Sequence, residues 1–211
     1  MKHLKLVYYT DALCGWCYGF SPVISKIYHE YCSQIDFEVV SGGLFLGARA
    51  GLINDVAPHI KAGAYKEVEA ITGVKFGETF LNEALENGTM ILNSLPHAIA
   101  ICIVKEKLPE KTIEFTSLLH KAVYYDGMDS ENLPAYAKYA SQIGFNAEEF
   151  SSKMRDLAYA DKALKDFERF KKQGVNVFPS LMLETKNESF LLSNGSISYE
   201  DLKGLLDKHL K

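Results

Sequence analysis

The chain has 211 residues, of which 47% are hydrophobic and 24% are charged, and its net charge is −4. A sequence of this length can bury a substantial core, and this composition is typical of globular proteins. It has no basic excess to neutralise phosphates and no apolar stretch near the roughly 20 residues of a membrane span, so we expect neither a nucleic acid nor a membrane as partner.

The N-terminal region predicts a β-α-β unit. Residues 4–9, LKLVYY, favour a strand because they are apolar and aromatic, and residues 35–43 contain a second run that alternates between apolar and polar side chains. A helix is expected from Cys14 onward, and Pro22 should kink this helix or mark its second start. The apolar residues at helical spacing are Ile24, Ile27, Tyr28 and Tyr31.

The first residues contain no recognisable secretion signal. The apolar run before Cys14 is far shorter than the roughly 7–15 residues of a signal-peptide core. We therefore expect a cytoplasmic protein. Permanent disulfides are rare in that compartment, where a C-x-x-C pair is usually catalytic or metal-binding.

The middle of the chain, from about residue 50 to 172, is rich in helical pattern and poor in strand pattern. Helices are predicted to begin near Leu95 and to span about 113–123 and 133–143. The basic segment KDFERFKK, residues 165–172, is interrupted by acidic residues, so we interpret it as a solvated helix face.

Strand patterns return near the C-terminus. Residues 175–184 are β-prone and interrupted by Pro179, and residues 188–195 are the predicted hairpin partner. The chain closes with an amphipathic helix over 198–210, for which Ser198 is a possible cap.

The order of these elements predicts an α/β fold with one mixed sheet. The β-α-β half occupies residues 1–48 and the β-β-α half occupies residues 174–211. A large α-helical insertion, residues 49–173, separates the two halves in sequence.

Two of the four cysteines, Cys14 and Cys17, flank the only tryptophan at the predicted strand-to-helix junction. The positive end of a helix dipole favours a thiolate, which is the form that attacks disulfides. We predict that Cys14, exposed at the helix start, attacks the substrate, and that the less accessible Cys17 resolves the mixed disulfide. Gly15 should keep the approach uncrowded, and Trp16 should offer a flat apolar surface to the substrate.

The segment FPSL, residues 178–181, also favours redox chemistry. In a thioredoxin-type layout, a cis-proline before the third strand faces the C-x-x-C and offers backbone groups to an extended peptide. Phe178 and Pro179 stand where that loop is needed, so we predict that they bind substrate. The alternative is an ordinary trans proline at a strand edge.

Strand, C-x-x-C helix, helical insertion and the GVxxFPSL stretch together resemble the DsbA-like thioredoxin-fold family, in particular its FrnE-like cytosolic branch. The resemblance implies a thioredoxin-like fold and a dithiol–disulfide oxidoreductase that uses Cys14, Cys17 and Pro179. It implies protein or peptide thiols and disulfides as partners, glutathione as a candidate co-substrate, and no cofactor beyond the Cys14–Cys17 disulfide itself. Three further segments carry the resemblance: ITGVKFGETF (71–80), NGTMILNSLPHAIA (87–100) and AVYYDGMDSENLPAYA (122–137).

The chain departs from this branch at two positions. The branch commonly has proline between its cysteines, where this chain has Gly15. An arginine that is usual in the SxPxxRA stretch is absent from SLPHAIA. The first departure concerns the redox potential, and the second concerns a substrate contact.

Two other functions remain open. Cys14, Cys17, His29 and Cys32 form a C-x2-C-x11-H-x2-C pattern whose ligand types suit zinc. However, one continuous helix would separate the second and third of these residues by about 18 Å, so we expect no bound metal. Glutathione-dependent transferases and isomerases share the fold, but they generally use serine as the key residue.

Other chemistry-bearing residues have simpler interpretations. Cys32 and Cys102 lie on apolar helical stretches and are predicted to be inert core thiols. His97 and His120 could line a cleft, although satisfied core or surface positions suit them better.

Asp11 lies close to the two thiols in sequence. It could relay protons, but capping the turn before the helix is the better explanation. Tyr124 and Tyr125 are interpreted as helix packing.

Overall fold

The centre of the molecule is a mixed four-stranded sheet. This computed structural model describes residues 4–210; residues 1–3 and 211, which belong to the first and last predicted segments, lie outside the described residues. The sheet order is β2-β1-β5-β6, with β2 parallel to β1 and β5 antiparallel to both neighbours, while β3 and β4 form a separate antiparallel pair. In chain order the strands are β1 (Lys5–Thr10), β2 (Asp36–Ser41), β3 (Gly51–Leu52), β4 (Ile91–Leu92), β5 (Ser180–Glu184) and β6 (Ser189–Asn194).

Most of the helices lie between β2 and β5 in sequence, in agreement with the predicted order of elements. The predicted helices near residue 95, over 113–123 and over 133–143 are confirmed as α4, α5 and α6. The α-helices of the described part are α1 (Gly15–Tyr31), α2 (Ile53–Val56), α3 (Tyr65–Thr72), α4 (Ser94–Lys107), α5 (Thr112–Tyr124), α6 (Leu133–Gln142), α7 (Ala147–Lys153), α8 (Leu157–Lys172) and α9 (Tyr199–Leu210).

β1 lies between two hydrophobic clusters because its side chains alternate between the faces of the sheet. Leu6 and Tyr8 belong to the main core, which also includes buried residues of α1, whereas Val7 and Tyr9 belong to a smaller cluster. All four side chains are at most 1% exposed. A strand that is covered on both faces has successive apolar residues, which explains the uninterrupted apolar run from Leu6 to Tyr9.

α1 continues through Pro22, so the helix has no second start there. Pro22 has no N–H to donate to the carbonyl of Tyr18, and it lies on the exposed side of the helix. The opposite side is anchored in the core, since Phe20, Ile24 and Ile27 are almost completely buried.

The strand near the C-terminus is shorter than predicted. Residues 175–178 are not part of it, and β5 begins at Ser180, directly after Pro179. A proline has no N–H for a strand ladder, so the ladder begins where the proline ends. The Ser180 hydroxyl donates to the carbonyl oxygen of Val177 at 2.9 Å and holds the preceding segment against the strand.

The last helix is capped as predicted. Ser198 precedes α9, and its hydroxyl oxygen accepts a hydrogen bond from the N–H of Asp201 at 3.1 Å. This contact satisfies one of the N–H groups that a helix leaves unpaired at its N-terminus.

The two cysteines outside the C-x-x-C differ in burial. Cys102 on α4 is 3% exposed, in agreement with the prediction of a core thiol. The same prediction for Cys32 is wrong, because Cys32 is exposed. The buried face of α1 ends at Tyr31, so Cys32 follows the last position that faces the core.

The segment KDFERFKK on α8 is only partly solvated, which corrects its interpretation as a solvated face. Phe167 belongs to the main core. Asp166 is 9% exposed, and the ammonium group of Lys105 donates to its two carboxylate oxygens at 3.1 and 2.9 Å. Lys105 also donates to the carbonyl oxygen of Val39 at 2.8 Å, so this ion pair connects α4, α8 and β2.

Candidate active site

Cys14 and Cys17 lie at the N-terminus of α1, at the strand-to-helix junction that the sequence predicts. Cys14 is the N-cap residue, and its N–H donates to the carbonyl oxygen of Asp11 at 3.0 Å. Both thiols are free, and Cys17 is fully buried as expected. The expected exposure of Cys14 is wrong: it is 7% exposed, because it faces a cleft and not open solvent.

The two thiols interact directly. A hydrogen bond with Cys17 and burial raise the pKa of the Cys14 thiol well above its ordinary value, and the charge of Asp11 acts in the same direction. The backbone N–H of Cys17 opposes this rise, as a helix N-terminus should. In this reduced form, the interaction with Cys17 and burial therefore raise the pKa of Cys14 by more than the helix N-terminus lowers it.

The Phe178–Pro179 segment faces the first thiol. Its peptide bond is cis, and the carbonyl oxygen of Phe178 lies 3.8 Å from the Sγ atom of Cys14. The ring of Phe178 stacks on Phe170 with centroids 4.4 Å apart. Gly42, directly after β2, lies against the same ring, and a Cβ at this position would overlap it. The structure therefore holds Phe178 between two neighbours.

Cys14 opens into a cleft of about 500 Å³. Trp16 is half-buried and forms part of the wall. Gly15 also lines the cleft, but a Cβ there would meet Phe76 and Val68 only at ordinary contact distances of 3.7 and 3.9 Å. A single methyl group would therefore fit at position 15, and the role of Gly15 in the approach to Cys14 stays a prediction.

Three polar side chains lie along the same cleft. Arg49, Asp55 and His59 are exposed and come from the segment between β2 and α3. Sequence reasoning missed them, since they belong to no motif and lie more than thirty positions from Cys14.

An aromatic cluster forms the inner wall of the cleft. Tyr124 on α5 is buried, stacks on Tyr18 with centroids 5.6 Å apart and contacts the edge of Phe76 at 5.2 Å. Its hydroxyl donates to the carbonyl oxygen of Leu13, the residue before the first thiol. Tyr124 therefore packs as predicted and also fixes the backbone at the site, whereas the same prediction is wrong for Tyr125, which is 46% exposed.

Asp11 connects three segments around the thiols. Its Oδ1 atom accepts hydrogen bonds from the Leu13 N–H at 2.9 Å and from the Ser94 hydroxyl at 3.1 Å, and its Oδ2 atom accepts from the Leu44 N–H at 2.7 Å. Burial raises the pKa of this carboxyl group, and the hydrogen bonds oppose the rise. The predicted capping of the turn is confirmed, but the contacts to Leu44 and Ser94 depend on the tertiary fold.

His97 and His120 are buried and do not line the cleft. Burial lowers the pKa of His97 to about 3 and that of His120 to about 4, so both rings are neutral at pH 7. His97 packs edge-on against Tyr136 at 5.2 Å. In His120, Nδ1 lies 2.9 Å from the Ser21 hydroxyl and Nε2 lies 3.2 Å from the carbonyl oxygen of Asp11.

The four residues of the zinc alternative lie at opposite ends of α1. Cys14 and Cys17 are at its start, His29 is in its last turn, and Cys32 follows its last residue. A 17-residue helix is about 25 Å long, so one ion cannot contact both ends. Within residues 4–210, no three His, Cys, Asp or Glu side chains are grouped so that they could hold a metal ion.

Comparison with known proteins identifies the fold. A candidate protein disulfide isomerase from Nitrosomonas europaea has a TM-score of 0.85 at 27% identity, with 99% of this chain and 98% of that chain covered. The cytosolic disulfide reductase DsbM from Pseudomonas aeruginosa, solved with GSH, has a TM-score of 0.79 at 20% identity, with 98% of each chain covered. Oxidised BdbD from Bacillus subtilis has a TM-score of 0.58 at 14% identity, with 98% of this chain and 87% of that chain covered. No curated protein matches the chain significantly.

None of the helices between residues 4 and 210 combines the length and the apolar character that a membrane-spanning segment needs.

A family model covers nearly the whole chain. The model of a DSBA-like thioredoxin domain matches residues 5–207, which include the sheet, the helical region and both thiols, and the predicted thioredoxin-like fold is confirmed. The chain therefore belongs to the family of DSBA-like thioredoxin domains.

Proposed function

We propose that this protein is a thiol–disulfide oxidoreductase whose Cys14–Cys17 pair exchanges electrons with the disulfides or thiols of proteins and small molecules. One observation carries the proposal: two free, directly interacting thiols lie at a helix N-terminus, and the first of them faces a cleft. Family membership supports it, as do the structural relatives described as a disulfide reductase and a candidate disulfide isomerase.

In the reducing direction, the thiolate of Cys14 attacks one sulfur of a substrate disulfide. A mixed disulfide forms, and the other substrate sulfur leaves with the bonding electron pair. Cys17 then loses its proton and attacks the Sγ atom of Cys14, which releases the second substrate sulfur. The substrate gains two electrons and two protons, and the protein dithiol loses them; oxidation of a substrate dithiol is the reverse.

For protein substrates we propose the Phe178–Pro179 segment as the docking site of the chain next to the disulfide. The carbonyl oxygen of Phe178 lies 3.8 Å from Sγ of Cys14, and the neighbouring Val177 is 39% exposed. An extended peptide can form main-chain hydrogen bonds with an accessible segment of this kind. Trp16 would then contact the substrate from the cleft wall.

Glutathione is the small-molecule partner that we propose. It carries two carboxylates and one ammonium group, and the cleft next to Cys14 presents Arg49, Asp55 and His59. The DsbM relative, solved with GSH, supports the same assignment. Arg49 and His59 would face the carboxylates of glutathione, and Asp55 would face its ammonium group.

We further propose that the protein works in the cytoplasm. The DsbM relative is described as cytosolic, and the four cysteines of this chain are all free thiols. Free thiols persist in a reducing compartment.

Reduction of insulin disulfides with glutathione as reductant tests the proposed activity. We expect Cys14→Ser to reduce the rate to the uncatalysed background, because it removes the attacking sulfur. Cys32→Ser is the matched control, since it removes an exposed thiol that lies beyond the other end of α1. A Cys14→Ser variant as active as the wild type would contradict the proposal.

Arg49→Ala separates glutathione recognition from thiol chemistry. For oxidised glutathione we expect KM to rise about two- to fivefold, the effect of losing one exposed ion pair. For bis(2-hydroxyethyl) disulfide, which has no charge, KM should stay unchanged. An equal change for both substrates would contradict a role of Arg49 in binding glutathione.

A further inference from the structure

A chain of buried hydroxyl groups ends at Cys17. Tyr8 of β1 is 1% exposed, and its phenol interacts with the thiol of Cys17. The hydroxyl of Thr10 donates to the hydroxyl oxygen of Tyr8 at 3.1 Å. The Nε2 atom of His120 lies 3.3 Å from the hydroxyl oxygen of Thr10. All four residues are almost completely buried, so these groups satisfy one another in place of water.

The acceptors around His120 determine the direction of these hydrogen bonds. The carbonyl oxygen of Asp11, 3.2 Å from Nε2, can only accept, so this contact places the proton on Nε2, and the Ser21 hydroxyl then donates to Nδ1 and not to the carbonyl oxygen of Cys17. Burial lowers the pKa of His120 to about 4, so the ring is neutral and has one N–H. Nε2 therefore points a donor at Asp11 and Thr10. Thr10 donates to Tyr8, which leaves the phenolic proton of Tyr8 for the sulfur of Cys17.

The described residues around Cys17 include no cation that could stabilise a thiolate. Besides Cys17 itself, the described titratable groups that interact with the two thiols or with this hydroxyl chain are Tyr8, Asp11, Cys14, His97, His120 and Tyr124. None of them is positively charged at pH 7, and a carboxylate at Asp11 repels a thiolate. A buried anion without a donor is strongly disfavoured, so the hydroxyl of Tyr8 has a large effect here.

We propose that Tyr8 is a positioning residue for the resolving step: its hydroxyl, oriented by Thr10 and His120, stabilises the negative charge of Cys17 while this sulfur attacks Cys14. The inference rests on the proposed function and deepens it. In this step the Cys17–Cys14 bond forms, and the bond between Cys14 and the substrate sulfur breaks. The leaving sulfur keeps the bonding electron pair and takes up the proton that Cys17 has lost.

The kinetics of ring closure test this role. In a Cys32→Ser background, which removes the exposed thiol, the reduced protein is mixed with dithiobis(nitrobenzoate) in a stopped-flow instrument. Attack by Cys14 releases one thionitrobenzoate, and closure by Cys17 releases the second. The rate constant of the second release is measured across a pH series, after thermal unfolding has shown that each variant is folded.

In Tyr8→Phe we expect the second release to slow about tenfold at pH 7, and its pH profile to move upward by about one unit, the effect of losing a hydrogen bond to a charged group. Thr10→Val keeps the phenol but removes the group that orients it, so a smaller shift in the same direction is expected. This second variant also tests the proposal if Tyr8→Phe does not fold.

Tyr9→Phe is the matched control. Tyr9 is the next residue of β1 and equally buried, but it lies in the cluster on the other face, against Phe170. Its closure rate and pH profile should equal those of the wild type. The inference is overturned if Tyr8→Phe closes like the wild type, or if Tyr9→Phe is slowed as much. A wild-type protein that releases one thionitrobenzoate and never the second would overturn the proposed function as well.

Discussion

The thiol of Cys14 lies 3.8 Å from the carbonyl oxygen of Phe178, although 164 positions separate these two residues in the chain. The contact follows from the antiparallel pairing of β1 and β5, in which Tyr9 lies opposite Ser180. Antiparallel pairing brings the end of one strand next to the beginning of the other. The C-x-x-C turn follows the last residue of β1, and the Phe178–Pro179 segment precedes the first residue of β5, so the two segments lie side by side.

Gly42→Ala should disturb this contact. A Cβ at position 42 would overlap the ring of Phe178, which Phe170 contacts by stacking, so this ring must move. We expect a 10- to 100-fold lower rate of insulin reduction, since a displacement of about 1 Å has effects of this size. The free energy of unfolding, measured with urea, should fall by about 1–3 kcal/mol.

Two further variants serve as the control and as the rescue for Gly42→Ala. Gly204→Ala on α9 adds a methyl group where it meets nothing within 4 Å, so its activity and stability should be no lower than those of the wild type. Adding Phe178→Ala to Gly42→Ala removes the overlap and should restore part of the lost stability. A Gly42→Ala protein with full activity would show that the position of Phe178 does not matter for catalysis.

Trp16 should report the redox state of the thiols. It is the only tryptophan, lies between Cys14 and Cys17 in sequence, and is half-buried in the cleft wall. We expect the emission intensity to change when dithiothreitol reduces the oxidised protein, because disulfide formation alters the sulfur atoms next to the indole. Cys17→Ser should show no such change. An unchanged wild-type spectrum, with thiol counts that confirm reduction, would contradict formation of the Cys14–Cys17 disulfide.

The protein should lose stability as the pH falls below about 6.5, the ordinary pKa of histidine. In the folded state, burial lowers the pKa of His97 to about 3 and that of His120 to about 4. Between these values and 6.5, the unfolded chain binds more protons than the folded chain, so the free energy of unfolding decreases with decreasing pH. Each histidine contributes at most about 1.4 kcal/mol per pH unit. Urea unfolding at pH 7 and pH 5 measures the decrease.

His97→Leu isolates one of the two contributions. Among the described residues, neither ring nitrogen of His97 has a hydrogen-bond partner, so the substitution removes no such bond. We expect the loss of unfolding free energy between pH 7 and pH 5 to be about 2 kcal/mol smaller than in the wild type. If the variant loses as much as the wild type, His97 does not remain neutral in the folded protein.

Lys105→Met should destabilise the fold without changing the thiol site. The substitution leaves the carboxylate of Asp166 without the ammonium group that donates to both of its oxygens, and it removes the bond to Val39. We expect the free energy of unfolding to fall by about 1.5–3 kcal/mol, the range for hydrogen bonds to charged groups. Lys165→Met, at an exposed position on α8, should change it by less than about 0.5 kcal/mol. Equal effects of the two substitutions would contradict a special role of the buried pair.

The long, strongly patterned elements could be predicted from the sequence. α4, α5 and α6 carry enough apolar residues at helical spacing to be recognised, and the central strand β1 is apolar from Leu6 to Tyr9 because both of its faces are covered there. β3 and β4 were missed, since two residues are too few to show any periodicity. The exposure of Cys32 was missed because a pattern marks a helix face but not where that face stops contacting the core.

At the candidate site, Cys14, Cys17 and Pro179 could be selected from residue type and position alone. The cleft residues Arg49 and Asp55 could not, because nothing local distinguishes them from other exposed charges. The same holds for the hydroxyl chain at Cys17. A tyrosine in a strand and a histidine in a helix more than a hundred positions later are ordinary core residues until the fold places them together.

The sequence by itself determined the order of elements, the family resemblance and the dithiol at the start of α1, since these depend on local spacing, propensity and residue type. Tertiary structure decided which groups surround that dithiol. Strand pairing brought Phe178 to Cys14, and the packing of α5 near β1 placed His120 beside Thr10. The pKa values of buried groups depend on such neighbours and on distance from water, and no local pattern encodes either quantity.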